Sequence, residues 1–192
     1  RAWWNQLFIH GLGEFFYQNK IDFTISDFVL LESSGPFYEP LYRHRRRKAL
    51  VLASGGKDSV VTTEILEKQG EPLSLLLVNT TKATLEVTQG KETIVVNRML
   101  DPQLFELNKK GYLNGHTPFS AYLAFLSHTV ATMYDFDRCV VSNERSANEG
   151  NIVYHDMTIN HQYSKTFSFE SDFRAYYQEY LNKGVSYISI LR

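Results

Sequence analysis

Ser54-Gly55-Gly56-Lys57-Asp58-Ser59 puts two glycines, a lysine, an aspartate and two hydroxyls into six consecutive residues. Such a string suits a bulky anion. Glycine lets the backbone close on a phosphate without a Cβ in the way. The amides that open a following helix point at the anion, and the helix dipole favours its charge. Lys57 adds a cation, Ser54 and Ser59 add hydroxyls, and Asp58 can cap the helix or meet a bound magnesium ion. The spacing is not that of a Walker A loop, which needs four residues between its first glycine and Gly-Lys-Ser/Thr, and it is too short for a dinucleotide fingerprint.

Three further polar clusters follow. The first is Asn114-Gly115-His116-Thr117-Pro118, where His116 reads as a phosphate contact, a group acting on an acceptor, or a plain loop histidine. The second runs from Ser142-Asn143-Glu144-Arg145-Ser146 to Asn151, with Ala147 its sole apolar residue. It reads as a solvated loop or as a binder of a polar ligand or magnesium. The third is Asn160-His161-Gln162-Tyr163-Ser164-Lys165-Thr166, dense in groups that bind or transfer protons.

The elements between these clusters alternate. Residues 49–53 form a short apolar run of the kind buried on both faces of a parallel sheet. Residues 58–69 read as a helix with Val61 and Ile65 on one face, stopped by Gly70 and Pro72. Strands are expected at 73–78, 93–97, 138–142 and 185–191, and a helix at 170–181. Thr117-Pro118 reads as a helix start, with Thr as the cap and Pro in the first turn. Phe119, Leu123, Leu126, Val130 and Met133 then recur at helical spacing and read as core. The expectation is an α/β fold with a doubly wound, mainly parallel sheet over residues 48–192. Residues 1–47 are aromatic-rich and read as an N-terminal segment or the end of a preceding subdomain, with a strand expected within 21–31. Residues 43–48, Arg-His-Arg-Arg-Arg-Lys, read as a solvated linker or an anion patch.

Composition narrows the class. The 192 residues carry a net charge of -1, which gives no global basic field for nucleic acid. No apolar run approaches the roughly 20 residues that span a bilayer. One cysteine, Cys139, excludes a disulfide, a thiol pair or a cysteine zinc cluster within the chain, and fits a reducing, cytoplasmic compartment. The oligomeric state is left open. The chain starts at Arg1 and reads as a fragment or processed product.

The six-residue string, set between a buried strand and a helix, resembles the Ser-Gly-Gly-x-Asp-Ser signature of the PP-loop ATP pyrophosphatase superfamily. That resemblance implies a Rossmann-like fold of the adenine nucleotide alpha hydrolase type, with ATP and Mg2+ at the strand ends. It also implies cleavage between the α and β phosphates, and a role for the stretch Val78-Asn79-Thr80-Thr81-Lys82, Asn79 foremost, in holding the adenosine. Taken in order, Ser54 to Val61, Asn114 to Pro118, Ser142 to Ser146 and Asn160 to Lys165 resemble the MurL-type UDP-N-acetyl-α-D-muramoyl-L-alanyl-L-glutamate epimerases over about residues 48–175. Against that family the chain is short and reads as lacking N-terminal sequence and a large C-terminal part.

The closer resemblance implies inversion of the terminal L-Glu of UDP-MurNAc-L-Ala-L-Glu through a glutamyl-adenylate in peptidoglycan precursor synthesis. Asn143, Arg145 and Asn160 are the candidate substrate contacts. A cysteine-pair mechanism is closed to this chain, so the candidate proton-transfer groups are His161, Lys165, His116 and Glu144. Two rival readings remain: another PP-loop enzyme of the tRNA thiolation or amidation type, and a non-catalytic nucleotide-binding domain.

Overall fold

The computed structural model describes residues 1–26, 28–42 and 46–192. Five strands carry the centre: β1 (Arg46–Leu52), β2 (Leu73–Val78), β3 (Thr93–Val96), β4 (Phe136–Val141) and, last in the chain, β7 (Ser186–Ser189). They lie in the order β3-β2-β1-β4-β7, and every neighbouring pair is parallel. The helices are α1 (Ala2–Gly11), α2 (Gly13–Asn19), α3 (Lys57–Lys68), α4 (Lys82–Val87), α5 (Pro102–Lys109), α6 (Phe119–Met133) and α7 (Phe167–Tyr180). A hairpin of β5 (Ile152–Tyr154) and β6 (Met157–Ile159) stands apart from the sheet.

Alternation along the strands divides the core in two. Leu50, Leu76, Cys139, Val141 and Tyr187 face α6 and α7. Ala49, Val51, Leu75, Leu77 and Val140 join Leu66 of α3 on the other face. Helices therefore cover both faces, and the sheet is the expected doubly wound α/β type. The strand order reverses between β1 and β4, the switch point where open sheets of this kind leave a crevice at their carboxyl edge.

α1 docks on the α6/α7 layer through aromatic rings. Trp3 stacks on Tyr176 at 4.5 Å and Trp4 on Phe125 at 5.4 Å, while the Trp4 indole donates to the Tyr176 hydroxyl at 3.0 Å. α2 packs Phe16 against Phe23 and Ile159, so the hairpin shares a small core with the N-terminal helices.

Several local expectations are corrected. The described part of 21–31 holds no strand; Asp22 instead accepts from the Thr24 amide and hydroxyl in a tight turn. Val61 is exposed, and α3 buries Ser59, Thr62, Thr63 and Leu66. On α6 the buried stripe is Ala121, Ala124, Ser127, His128, Val130 and Ala131, whereas Met133 and Phe119 are exposed. Small residues let that helix lie close against the sheet, which pushes its larger apolar side chains to the flanks. Pro118, with ψ 67, is itself the cap of α6, so Thr117 makes no side-chain cap and the helix starts one residue later.

Of the basic run, Arg43, His44 and Arg45 lie outside the described residues. Arg46, Arg47 and Lys48 pair with Asp135, Glu71 and Glu92 at the amino edge of the sheet, away from the crevice.

Candidate active site

The crevice holds a cleft of 240 Å³. Its polar wall is Ser54 and Gly56 from the β1–α3 loop, Asp58 and Ser59 from the first turn of α3, Ser142 and Asn143 just past β4, and Lys165. Leu52, Leu76, Val78, Leu123, Val141 and Phe119 supply the apolar side. Cys139 lies deeper, fully buried in β4, with its thiol pushed up to about 12 by burial. It is inert at neutral pH.

The Ser54–Ser59 string folds as a tight arch. Gly55 takes φ +82, and a Cβ there would meet the backbone of Thr84 at 3.0 Å. Gly56 caps α3 in an extended conformation without a side-chain cap, which leaves the first amides of the helix free for an anion. Ser59 donates to the Gly56 carbonyl at 2.8 Å and fixes the arch from below. Thr81 caps α4 by accepting from Thr84 N, and the Thr84 hydroxyl donates to the Ser54 carbonyl at 3.3 Å. Thr81 lies in the stretch expected to hold the adenosine, whereas Thr84 was not singled out in the sequence. The Thr81-x-x-Thr84 cap spacing was the available signal.

Lys57 and Asp58 project at the cleft mouth. The Lys57 ammonium lies 3.7 Å from Asp58 and 3.5 Å from Glu144. A hydrogen bond from Ser146, then the Lys57 charge, holds the Glu144 carboxyl below its ordinary range. Arg145 is exposed and opens a 3-10 turn, Arg145–Asn148. Asn79, at φ 51, ends β2 and braces it to the segment after β3: its amide donates to the Arg98 carbonyl at 3.0 Å, and its oxygen accepts from Arg98 N at 2.6 Å. Its side chain is engaged in that brace and is not among the cleft-lining residues.

The two later clusters interlock. Asn160 donates to the Ala147 carbonyl at 2.8 Å and accepts from Gln162 N at 2.7 Å. Asn148 accepts from Phe167 N at 2.8 Å. A second 3-10 turn, Tyr163–Lys165, then brings Lys165 to the cleft. His116 and His161 are not among the cleft-lining residues; they are brought together on loops that lead to the cleft-lining Phe119 and Lys165, with ring centroids 6.1 Å apart and ring planes at 81°.

Two polar atoms at the cleft are buried without a hydrogen-bond partner, the Ser142 hydroxyl and the Asn143 amide nitrogen. Buried polar groups are ordinarily paired, and an orphaned donor costs about 1–3 kcal/mol. With the uncapped α3 amides and Lys57, they fit a nucleotide triphosphate chain. Asp58 and Glu144 fit one side of a magnesium ion, whose remaining ligands are typically phosphate oxygens and water. Among the described residues no group of three carboxylate, histidine or cysteine side chains forms a metal site.

The family model described as the MurL N-terminal domain matches residues 1–190. A protein named UDP-N-acetyl-alpha-D-muramoyl-L-alanyl-L-glutamate epimerase from Xanthomonas oryzae pv. oryzae is 34% identical over 195 residues, covering 97% of this chain and 42% of that protein. One of the same name from Salinispora tropica is 32% identical over 189 residues, covering 97% and 41%. The chain thus spans about two fifths of the length of the curated relatives it matches. Among solved structures, a predicted subunit of a tRNA methyltransferase from Methanocaldococcus jannaschii overlaps 75% of this chain and 67% of its own at 20% identity and a TM-score of 0.41. On the family match, the chain belongs to the MurL N-terminal domain family.

Proposed function

We propose that this domain carries the ATP site of an epimerase that inverts the terminal L-Glu of UDP-MurNAc-L-Ala-L-Glu, giving D-Glu, AMP and pyrophosphate in peptidoglycan precursor synthesis. The observation that carries the reading is convergence. Three motifs spread over more than a hundred residues, represented by Ser54–Ser59, Ser142–Asn143 and Lys165, line one cleft at the carboxyl edge, and that cleft holds both the uncapped α3 terminus and the orphaned donors Ser142 and Asn143. Family membership and the relatives' names support the same reading.

ATP, when bound, would supply activation of the glutamyl carboxylate by transfer of its AMP moiety with loss of pyrophosphate, and water would release AMP after inversion. Activation removes the negative charge which otherwise opposes loss of the neighbouring α-proton. The chain's residues divide the remaining work. The Gly55-Gly56 arch, Lys57 and the first α3 amides hold phosphate oxygens. Asp58 and Glu144 would hold one side of a magnesium ion. Ser142, Asn143 and Lys165 hold the leaving pyrophosphate or the glutamyl carboxylate, and Arg145 binds anionic substrate at the rim. The proton-transfer groups come from His116, His161, Lys165 and Glu144. The reaction belongs in the cytoplasm, where nucleotide-linked precursors and ATP meet. Incubating the full-length protein with ATP and the dipeptide substrate, then separating the glutamate epimers, tests the proposal. D-Glu formed together with AMP supports it. ATP cleavage that needs a tRNA and leaves the stereocentre unchanged rejects it.

A further inference from the structure

Inversion at a carbon needs a proton removed from one face and another delivered to the opposite face. Among the four candidate groups, Glu144 is tied to Lys57 and Ser146, and its carboxyl is held in the anionic form, which makes it a weak base. Lys165 is a single ammonium on the cleft wall and serves one face at most. His116 and His161 stand as a pair, 6.1 Å between ring centroids and nearly perpendicular. They come from loops 45 residues apart, so the spacing is a property of the fold.

One element sets that spacing. The Asn19 amide at the end of α2 donates to the Asn114 carbonyl at 2.9 Å. A Cβ on Gly115 would lie 2.8 Å from Gln18 and 3.2 Å from Phe15, so the His116 loop rests directly on α2. On its other side, Phe16 packs on Ile159, and a Cβ on Gly13 would lie 2.9 Å from that side chain. Ile159 ends β6, two residues before His161, whose amide donates to Asn151 at 3.4 Å. α2 thus carries both histidine loops.

We infer that His116 and His161 are the two acid–base groups of the inversion, one for each face of the glutamate α-carbon, with α2 as the frame that fixes their separation. This rests on the epimerase reading. In the forward direction one neutral imidazole takes the α-proton, and the C–H electrons pass into the activated carbonyl as an enolate. The opposite imidazolium then delivers its proton to carbon, and the enolate electrons form the new C–H bond. The pair ends with its protonation states exchanged. Both rings are exposed, so exchange with water restores them.

The test uses the full-length protein in deuterium oxide, with ATP and either the L-Glu or the D-Glu epimer of the UDP-MurNAc-dipeptide. ATP–pyrophosphate exchange reads carboxylate activation, mass spectrometry reads α-deuterium, and chiral separation reads inversion. H116Q and H161Q are each expected to lose inversion by 100-fold or more while keeping ATP–pyrophosphate exchange within threefold. Each variant should retain α-deuterium exchange with one epimer only, and the two variants with opposite epimers, a pattern that a merely structural role does not produce. Inversion within threefold of wild type in either variant overturns the assignment. So does exchange with the same epimer in both, or parallel loss of activation and deuterium entry. Wild-type protein that activates neither epimer overturns the epimerase reading itself.

Discussion

The Lys57 ammonium lies 3.5 Å from the Glu144 carboxylate, joining the loop after β1 to the loop after β4 across the mouth of the cleft. The lysine side chain is 84% exposed, so the pair adds little to stability. Under the proposed ATP reading, a triphosphate entering the cleft would meet a cation already held beside a carboxylate.

Lys57→Ala is therefore expected to change unfolding free energy by less than about 0.5 kcal/mol and to abolish ATP turnover. Glu144→Gln should slow turnover tenfold or more, about 1.4 kcal/mol of barrier. Chemical denaturation and a pyrophosphate release assay check both. Normal turnover in either variant removes that residue from the site.

Gly55→Ala tests the arch. A methyl there meets the Thr84 backbone at 3.0 Å and must also adopt φ +82. Gly111, at φ +79 with open space around it, provides the control, since Gly111→Ala suffers the backbone strain alone. Gly111→Ala should cost about 1 kcal/mol and leave nucleotide affinity intact. Gly55→Ala should cost more and weaken nucleotide binding at least tenfold by calorimetry.

Asn143 carries a buried amide nitrogen with no partner. If a ligand completes it, Asn143→Leu removes an unsatisfied donor and should leave ligand-free stability unchanged or raised, while ATP binding falls by about 1–3 kcal/mol. A variant that melts earlier and still binds ATP normally assigns the residue to the scaffold.

His128 is 1% exposed, its ring tilted against that of Tyr177 with centroids 3.7 Å apart, and its pKa is lowered to about 4 by burial. Its neutral form is the one that folds. That contribution is complete above the unfolded value near 6.5 and is lost as pH falls toward 4, amounting to about 3 kcal/mol. Denaturation midpoints should decline across that window, and His128→Leu should flatten the decline whatever it does to the midpoint at pH 8.

The sheet was legible because buried parallel strands advertise themselves. Residues 73–78 match β2, and the runs near 49, 93, 138 and 185 all became strands. The α6 face was misread because its contact with the sheet is made by alanine and serine, which periodicity of large residues does not reveal. α1 and α2 escaped notice because their aromatic residues pack on several sides. The hairpin escaped because it turns through His155 and Asp156, both at positive φ, without the glycine that marks such turns. For the site, the glycine arch and the strand-end clusters could be read locally. The meeting of His116 with His161 could not, since α2 creates it from a distance.

The central claim is that activation by ATP and inversion at the glutamate α-carbon belong to one reaction. The most direct measurement follows the full-length protein with ATP, magnesium and UDP-MurNAc-L-Ala-L-Glu in deuterium oxide, using phosphorus NMR for the nucleotide and mass spectrometry for the dipeptide. The account predicts AMP and pyrophosphate appearing in step with D-Glu that carries deuterium at its α-carbon. ADP and orthophosphate as products, or D-Glu formed without ATP cleavage, would contradict it.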